Sequence, residues 1–173
     1  MSLCRINRAQ ILDDSFNLAR ADLLEYPTAL ANTEYLTQET DFIPWSAALS
    51  GFSYLENMMK RSPGFGDLKT YLLATLQPLY DRLGFQEIEG EKFYDEKLRI
   101  DLLAVLCRLG HTECNEYSVY LLDQWMSLPN PDEENPIPVS VDFETRRSTY
   151  WLRLYDSDFD ALNVLVVRSG LER

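Results

Sequence analysis

The stretch Asp41–Gly84, DFIPWSAALSGFSYLENMMKRSPGFGDLKTYLLATLQPLYDRLG, carries two apolar stripes separated by a turn. In its first half Trp45, Ala48, Leu49, Phe52, Leu55 and Met59 recur every three or four residues. That spacing lines one face of an α-helix. Asp41-Phe42-Ile43-Pro44 starts this helix, because proline is tolerated in a first turn. Ser62-Pro63-Gly64 ends it. In the second half Leu68, Tyr71, Leu72, Leu76, Leu79, Tyr80 and Leu83 form another stripe. Pro78 lies inside that stripe and is expected to kink the helix by removing one backbone hydrogen bond. Gly84 is expected to close it in a left-handed conformation.

The same period extends both ways. Upstream, Leu12, Phe16, Ala19 and Leu23 give a helix from about Ile6, with Asn7–Gln10 as its start and Asp13 and Asp14 near that end. Tyr26-Pro27 breaks it and opens a second helix running to about Thr37. Downstream, Gln86–Tyr94 is acidic and reads as a loop. Leu98, Leu102, Val105, Leu106 and Leu109 then make a stripe closed by Gly110. Thr112 is placed to cap the next helix, whose buried face is Tyr117, Leu121, Trp125 and Leu128. About six helices in consecutive pairs, joined by short loops, make antiparallel neighbours. The pairs begin roughly every 40 residues, within the range of HEAT-like repeats. The expectation is an all-α fold of stacked antiparallel helix pairs in a HEAT- or armadillo-like superhelix, spanning residues 1–128. Residues 129–138 hold four prolines and read as a loop. Residues 139–173 are a tail in which Val139–Phe143 alternates like a short strand. There Thr149–Tyr155 and Phe159–Val167 are apolar but too short for their pattern to choose helix or strand.

At 173 residues the chain suits one domain. Its 46% apolar and 25% charged residues are ordinary for a globular protein. With 16 basic and 28 acidic residues the net charge is −12. That surface repels phosphate backbones and anionic lipid, which argues against nucleic-acid and membrane-surface partners. No apolar run approaches the roughly 20 residues of a membrane span. MSLCRINRAQ at the start has no signal-peptide core.

The chemistry-bearing residues are few. His111 is the single histidine, and the HExxH zinc helix, a phosphate-binding glycine loop and a G-x-S-x-G elbow are all absent from the sequence. Cys107-Arg-Leu-Gly-His-Thr-Glu-Cys114 admits three readings. The two cysteines are a disulfide closing a helix hairpin across Gly110. Alternatively, with His111, they are metal ligands lacking an evident fourth member. Or they are reduced and buried. As a general base His111 has no nucleophile tied to it; a linker histidine is more often a capping or surface group. The acidic pairs Asp13/Asp14 and Glu133/Glu134 read as solvated charge. Tyr35, Phe42 and Trp45 cluster at one junction and are candidates to line a groove, with ordinary packing between hairpins as the competing arrangement.

Several segments in order carry a resemblance: NRAQILDDSFNLARADLLEYPTAL (Asn7–Leu30), YLTQETDFIPWSAAL (Tyr35–Leu49), LQPLYDRLGF (Leu76–Phe85), LCRLGHTEC (Leu106–Cys114) and QWM (Gln124–Met126). Together they resemble the C-terminal helical domain of the aminopeptidase N family of zinc aminopeptidases, the domain shared with the endoplasmic-reticulum aminopeptidases, insect gut members in particular. The resemblance implies a non-catalytic domain that covers the peptide cavity of a separate zinc domain and influences which peptides enter. The implied partners are that catalytic domain and, indirectly, the peptide substrate. No cofactor is implied for this chain; the family's zinc belongs to the catalytic domain. It further implies a Cys107–Cys114 disulfide and an extracellular or plasma-membrane-associated parent. After Met126 the sequence departs from the family pattern: Arg147-Ser148-Thr149-Tyr150 is followed by Trp151 where a cysteine is expected. The alternative function is a stand-alone helical-repeat module that binds a protein or peptide on its concave face.

Overall fold

The computed structural model describes residues 3–86 and 88–129, and all of its regular structure there is helical. The elements are α1 (Arg5–Arg20), α2 (Tyr26–Ala31), a 3-10 turn (Glu34–Gln38), α3 (Phe42–Met59), α4 (Phe65–Leu83), α5 (Phe93–Arg108) and α6 (Thr112–Met126). α1 packs on α3 and α3 on α5, forming one row. α4 lies against the 3-10 turn, α3 and α5, and α6 packs on α5. The core between them is continuous: Leu12, Leu36, Trp45, Phe52, Leu72, Leu76, Leu98, Leu102 and Leu106 are each 0% exposed. At about 25 cal/mol per Å² of buried apolar surface, this cluster supplies the main driving force.

Both stripes of Asp41–Gly84 become helices at the expected places, and the side-chain chemistry at their ends explains the limits. The Asp41 carboxylate accepts from the Ile43 N–H at 3.1 Å and caps α3. α4 runs unbroken through Pro78. Gly84 has φ +62° but ψ −172°, so the residue has a positive φ without being left-handed helical. At Gly110, by contrast, φ is +73°. The His111 N–H bonds to the Leu106 carbonyl and the Gly110 N–H to that of Cys107, each at 3.0 Å. That pair of bonds is a Schellman ending.

Four expectations need correction. α1 begins at Arg5 and not near Asn7, with the Cys4 carbonyl accepting from the Arg8 N–H. That leaves Asp13 and Asp14 mid-helix and exposed. The helix opened by Pro27 stops at Ala31 and does not reach Thr37. Its break is held by side chains: Asn32 Nδ2 donates to Ser15 Oγ at 2.9 Å, and Thr33 Oγ1 to the Leu30 carbonyl at 2.7 Å. α5 starts at Phe93, inside the segment read as loop. Thr112 is the first residue of α6 and not its cap; the cap position falls to His111, whose Nδ1 accepts from the Cys114 N–H at 3.4 Å. The 129–138 loop and the 139–173 tail, with its alternating Val139–Phe143, lie almost wholly outside the described residues, as does the side chain of Trp125.

Candidate functional site

Two places hold the residues singled out by sequence. The first is the α5–α6 hinge. The Schellman ending reverses the chain at Gly110 and brings the last turn of α5 beside the first turn of α6. The Sγ atoms of Cys107 and Cys114 are bonded at 2.03 Å, with Cα atoms 5.4 Å apart. Both cysteines are at most 1% exposed, while Cys4 is free and exposed. His111 does not join them as a ligand. Its Nε2 lies 3.1 Å from Gln77 Oε1 and its ring packs 4.7 Å from that of Tyr80, tying the hinge to α4. Burial pushes the Tyr80 phenol up, and the nearby Glu113 carboxylate adds to that. Among the described residues no three His, Cys, Asp or Glu side chains converge as a metal site.

Oxidised, denatured protein should therefore show one free thiol, that of Cys4. Three would contradict the pairing. Replacing both partners, Cys107→Ala with Cys114→Ala, should lower stability by about 2.5 kcal/mol, the chain-entropy value for so short a ring. Denaturant titration reads it directly.

The second place is the aromatic corner, and it does not form one groove. Trp45 is 0% exposed and so lines no open surface. Its indole N–H donates to the Glu39 carbonyl at 2.9 Å, locking the start of α3 onto the preceding turn. Tyr35 is half-buried beside Arg8 and Glu39; burial raises its phenol and the Glu39 charge raises it further. Phe42 borders two open clefts, its ring 5.5 Å from that of Tyr94. The corner's polar centre is Glu39, which the sequence did not single out. Arg8 Nε and Nη2 donate to its two oxygens at 2.6 and 3.0 Å, and the Thr40 and Asp41 N–H groups add two more bonds. Burial alone would raise the Glu39 carboxyl, but these donors outweigh it and hold the group below the usual carboxylate range.

A third feature was also missed. Glu56 on α3 is buried and its Oε2 accepts from Arg108 Nε on α5 at 3.2 Å; Arg108 Nη2 also reaches Ser53 Oγ. Arg108 also lines a cleft of about 280 Å³ between α3 and α5, together with Ser46, Ser50, Ser53 and Asp101 among others. No local pattern announces the Glu56–Arg108 pair, because the partners stand 52 residues apart. These sites offer hydrogen bonding and shape. None pairs a nucleophile with a base.

The helices of the described residues and the disulfide at the α5–α6 hinge define an all-helical domain. The chain belongs to the ERAP1-like C-terminal domain family, which it matches over residues 1–156. The match runs past Met126, where the recognisable segments end. Similar proteins include aminopeptidase N of Plutella xylostella, 38% identical over 136 residues, and that of Homo sapiens, 39% identical over 137 residues. Each alignment covers 76% of this chain and 14% of the relative. Aminopeptidase Ey of Gallus gallus is 36% identical over 124 residues, covering 69% of this chain and 13% of the relative. The chain thus spans about one-seventh of the length of the relatives it matches.

Proposed function

We propose that this chain is the non-catalytic cover domain of a zinc aminopeptidase, closing over the peptide cavity of a separate catalytic domain and influencing which peptides enter. One observation carries the reading: membership of an aminopeptidase C-terminal domain family, together with alignments that reach only 14% of aminopeptidase N. The α3–α5 cleft, lined by Arg108 and three serines, is compatible with a wall that peptides pass. On this reading the partners are the catalytic domain and, through it, the peptide substrate. Zinc is the catalytic domain's cofactor. Its site would polarise the scissile carbonyl there. The Cys107–Cys114 bond supports an oxidising, extracytoplasmic setting, where disulfides persist. Among the described residues no helix is long and apolar enough to cross a membrane.

The purified chain should show no turnover of an aminoacyl chromogenic substrate in the presence of zinc. Turnover that survives repurification and is abolished by a chelator would contradict the reading.

A further inference from the structure

The direction of α6 decides which end of the fold the rest of the chain starts from. Arg5 of α1 meets Asp41, the cap of α3, at 3.5 Å. Arg82, near the end of α4, meets Asp95 in the first turn of α5 at 2.9 Å, and its Nη2 donates to the Thr40 carbonyl at 3.4 Å. These contacts gather the starts of α1, α3 and α5 at one end. α6 runs toward that end. It turns back from α5 at Gly110 and passes Phe85, which follows α4, at Tyr117, where the two rings lie 4.4 Å apart. From Tyr117 it continues nine residues to Met126. At 1.5 Å per residue that is about 13 Å further.

At the same end, α1 and α3 border an apolar groove of about 590 Å³ over Ile6, Ala9, Phe42, Ile43 and Ala47. Ile6 is 61% exposed and Ile43 37%. Asp13 is the one charged residue in the lining; it is exposed and has no ion-pair partner among the described residues. A groove of exposed apolar side chains is the kind of surface that a partner covers. The chain itself supplies a candidate. After Pro129 there are 44 further residues, and the family match continues through residue 156. Between those limits the densest apolar run is residues 149–155, TYWLRLY, whose only charge is Arg153. The 19 residues 130–148 lead to it. Fully extended, a chain of that length spans about 60 Å. Crossing the two helix spacings of the α1–α3–α5 row takes only about 20 Å.

We infer that residues 149–155 of this chain seat in the α1–α3 groove, their aromatic and leucine side chains on its apolar lining and Arg153 beside Asp13, so that the chain straps the end of α6 to α1. The strap concerns the chain's own packing and stands without the cover-domain reading. The test uses the full chain and its own reporters. Cys4 is the free cysteine, is exposed, and stands two residues before Ile6. A bimane attached there is quenched by an indole in near contact, and the strap brings Trp151 to it. Trp45 and Trp125 are common to every variant, so a change on Trp151→Phe reports Trp151 alone. Trp151→Phe should restore most of the emission that the parent lacks. Ile43→Asp, which puts a charge into the groove, should restore it equally, while Leu23→Asp, at the far end of α1, leaves the quenching as it was. Circular dichroism should show every variant as helical as the parent. Emission that is the same in parent and Trp151→Phe overturns the inference, as does Trp151-dependent quenching that Ile43→Asp leaves intact. Quenching that fades on dilution also overturns it, in favour of the same segment reaching over from a second copy.

Discussion

Gly51→Val should destabilise the fold by about 4 kcal/mol, the most of any single change considered, through overpacking where α1 crosses α3. A Cβ at Gly51 would lie 2.3, 2.6 and 2.7 Å from three carbons of the Phe16 ring. Phe16 is itself buried, and its ring meets Phe52 edge-on with centroids 6.0 Å apart. Moving the ring aside would disturb that contact. Gly51→Ala should cost less, about 2 kcal/mol, because alanine recovers roughly 1 kcal/mol of helix propensity against the same clash. Shortening the obstacle should reverse the sign of the interaction: Gly51→Ala combined with Phe16→Leu should be more stable than the two separate losses predict. Simple additivity in that double-mutant cycle would show that the glycine is not there for close approach.

Arg99→Leu should cost about 3 kcal/mol by stripping a buried charge network of one partner. Arg99 is 1% exposed. Its Nε donates to the Leu83 carbonyl at 3.1 Å and its other two nitrogens to the Glu91 carboxylate. It thus ties the end of α4 and the loop before α5 to the core. Removing the guanidinium strips the Leu83 carbonyl and the Glu91 carboxylate of the bonds it donates; removing both charged groups should cost less, so Arg99→Leu with Glu91→Leu should recover part of the loss. The acid limb of the stability profile gives a second readout. Hydrogen bonds from Arg99, against a smaller opposing effect of burial, hold the Glu91 carboxyl below its ordinary value of 4.5. A group lowered on folding contributes fully above its unfolded value, and the contribution fades as pH falls through the folded one. The parent should therefore lose stability below about pH 4.5 more steeply than Arg99→Leu does. Parallel curves would contradict the assignment.

These two residues also mark where sequence reading stopped. The stripes of α3, α4 and α5 were legible because burial of one helix face forces the three-to-four spacing, and Leu68, Leu72, Leu76, Leu79 and Leu83 are buried as that spacing requires. Gly110 was legible as a reversal, since a glycine after a helical stripe has few other uses. Gly51 was not, because a glycine inside a stripe gains meaning only from what crosses it. Arg99 stands between Leu98 and Leu102 and reads as a solvent-facing cation until its partners fold over it. The break after Ala31 was missed for the same reason: Asn32 and Thr33 find Ser15 and Tyr71, the latter with its hydroxyl 2.7 Å from Thr33 Oγ1, only in the assembled fold. Of the candidate site residues, Phe42 borders a cleft while Trp45 is core, a division that composition and spacing do not encode.

The role of the domain is tested most directly by exchange. Replace the corresponding segment of Plutella xylostella aminopeptidase N with this chain, and compare hydrolysis of a single-residue chromogenic substrate with that of a panel of long peptides. A cover domain acts on entry and not on the chemical step, so kcat for the small substrate should stay at the parent value while KM and the order of preference among long peptides change. An exchange that alters small and long substrates alike, or that leaves peptide preference as it was, would contradict the account.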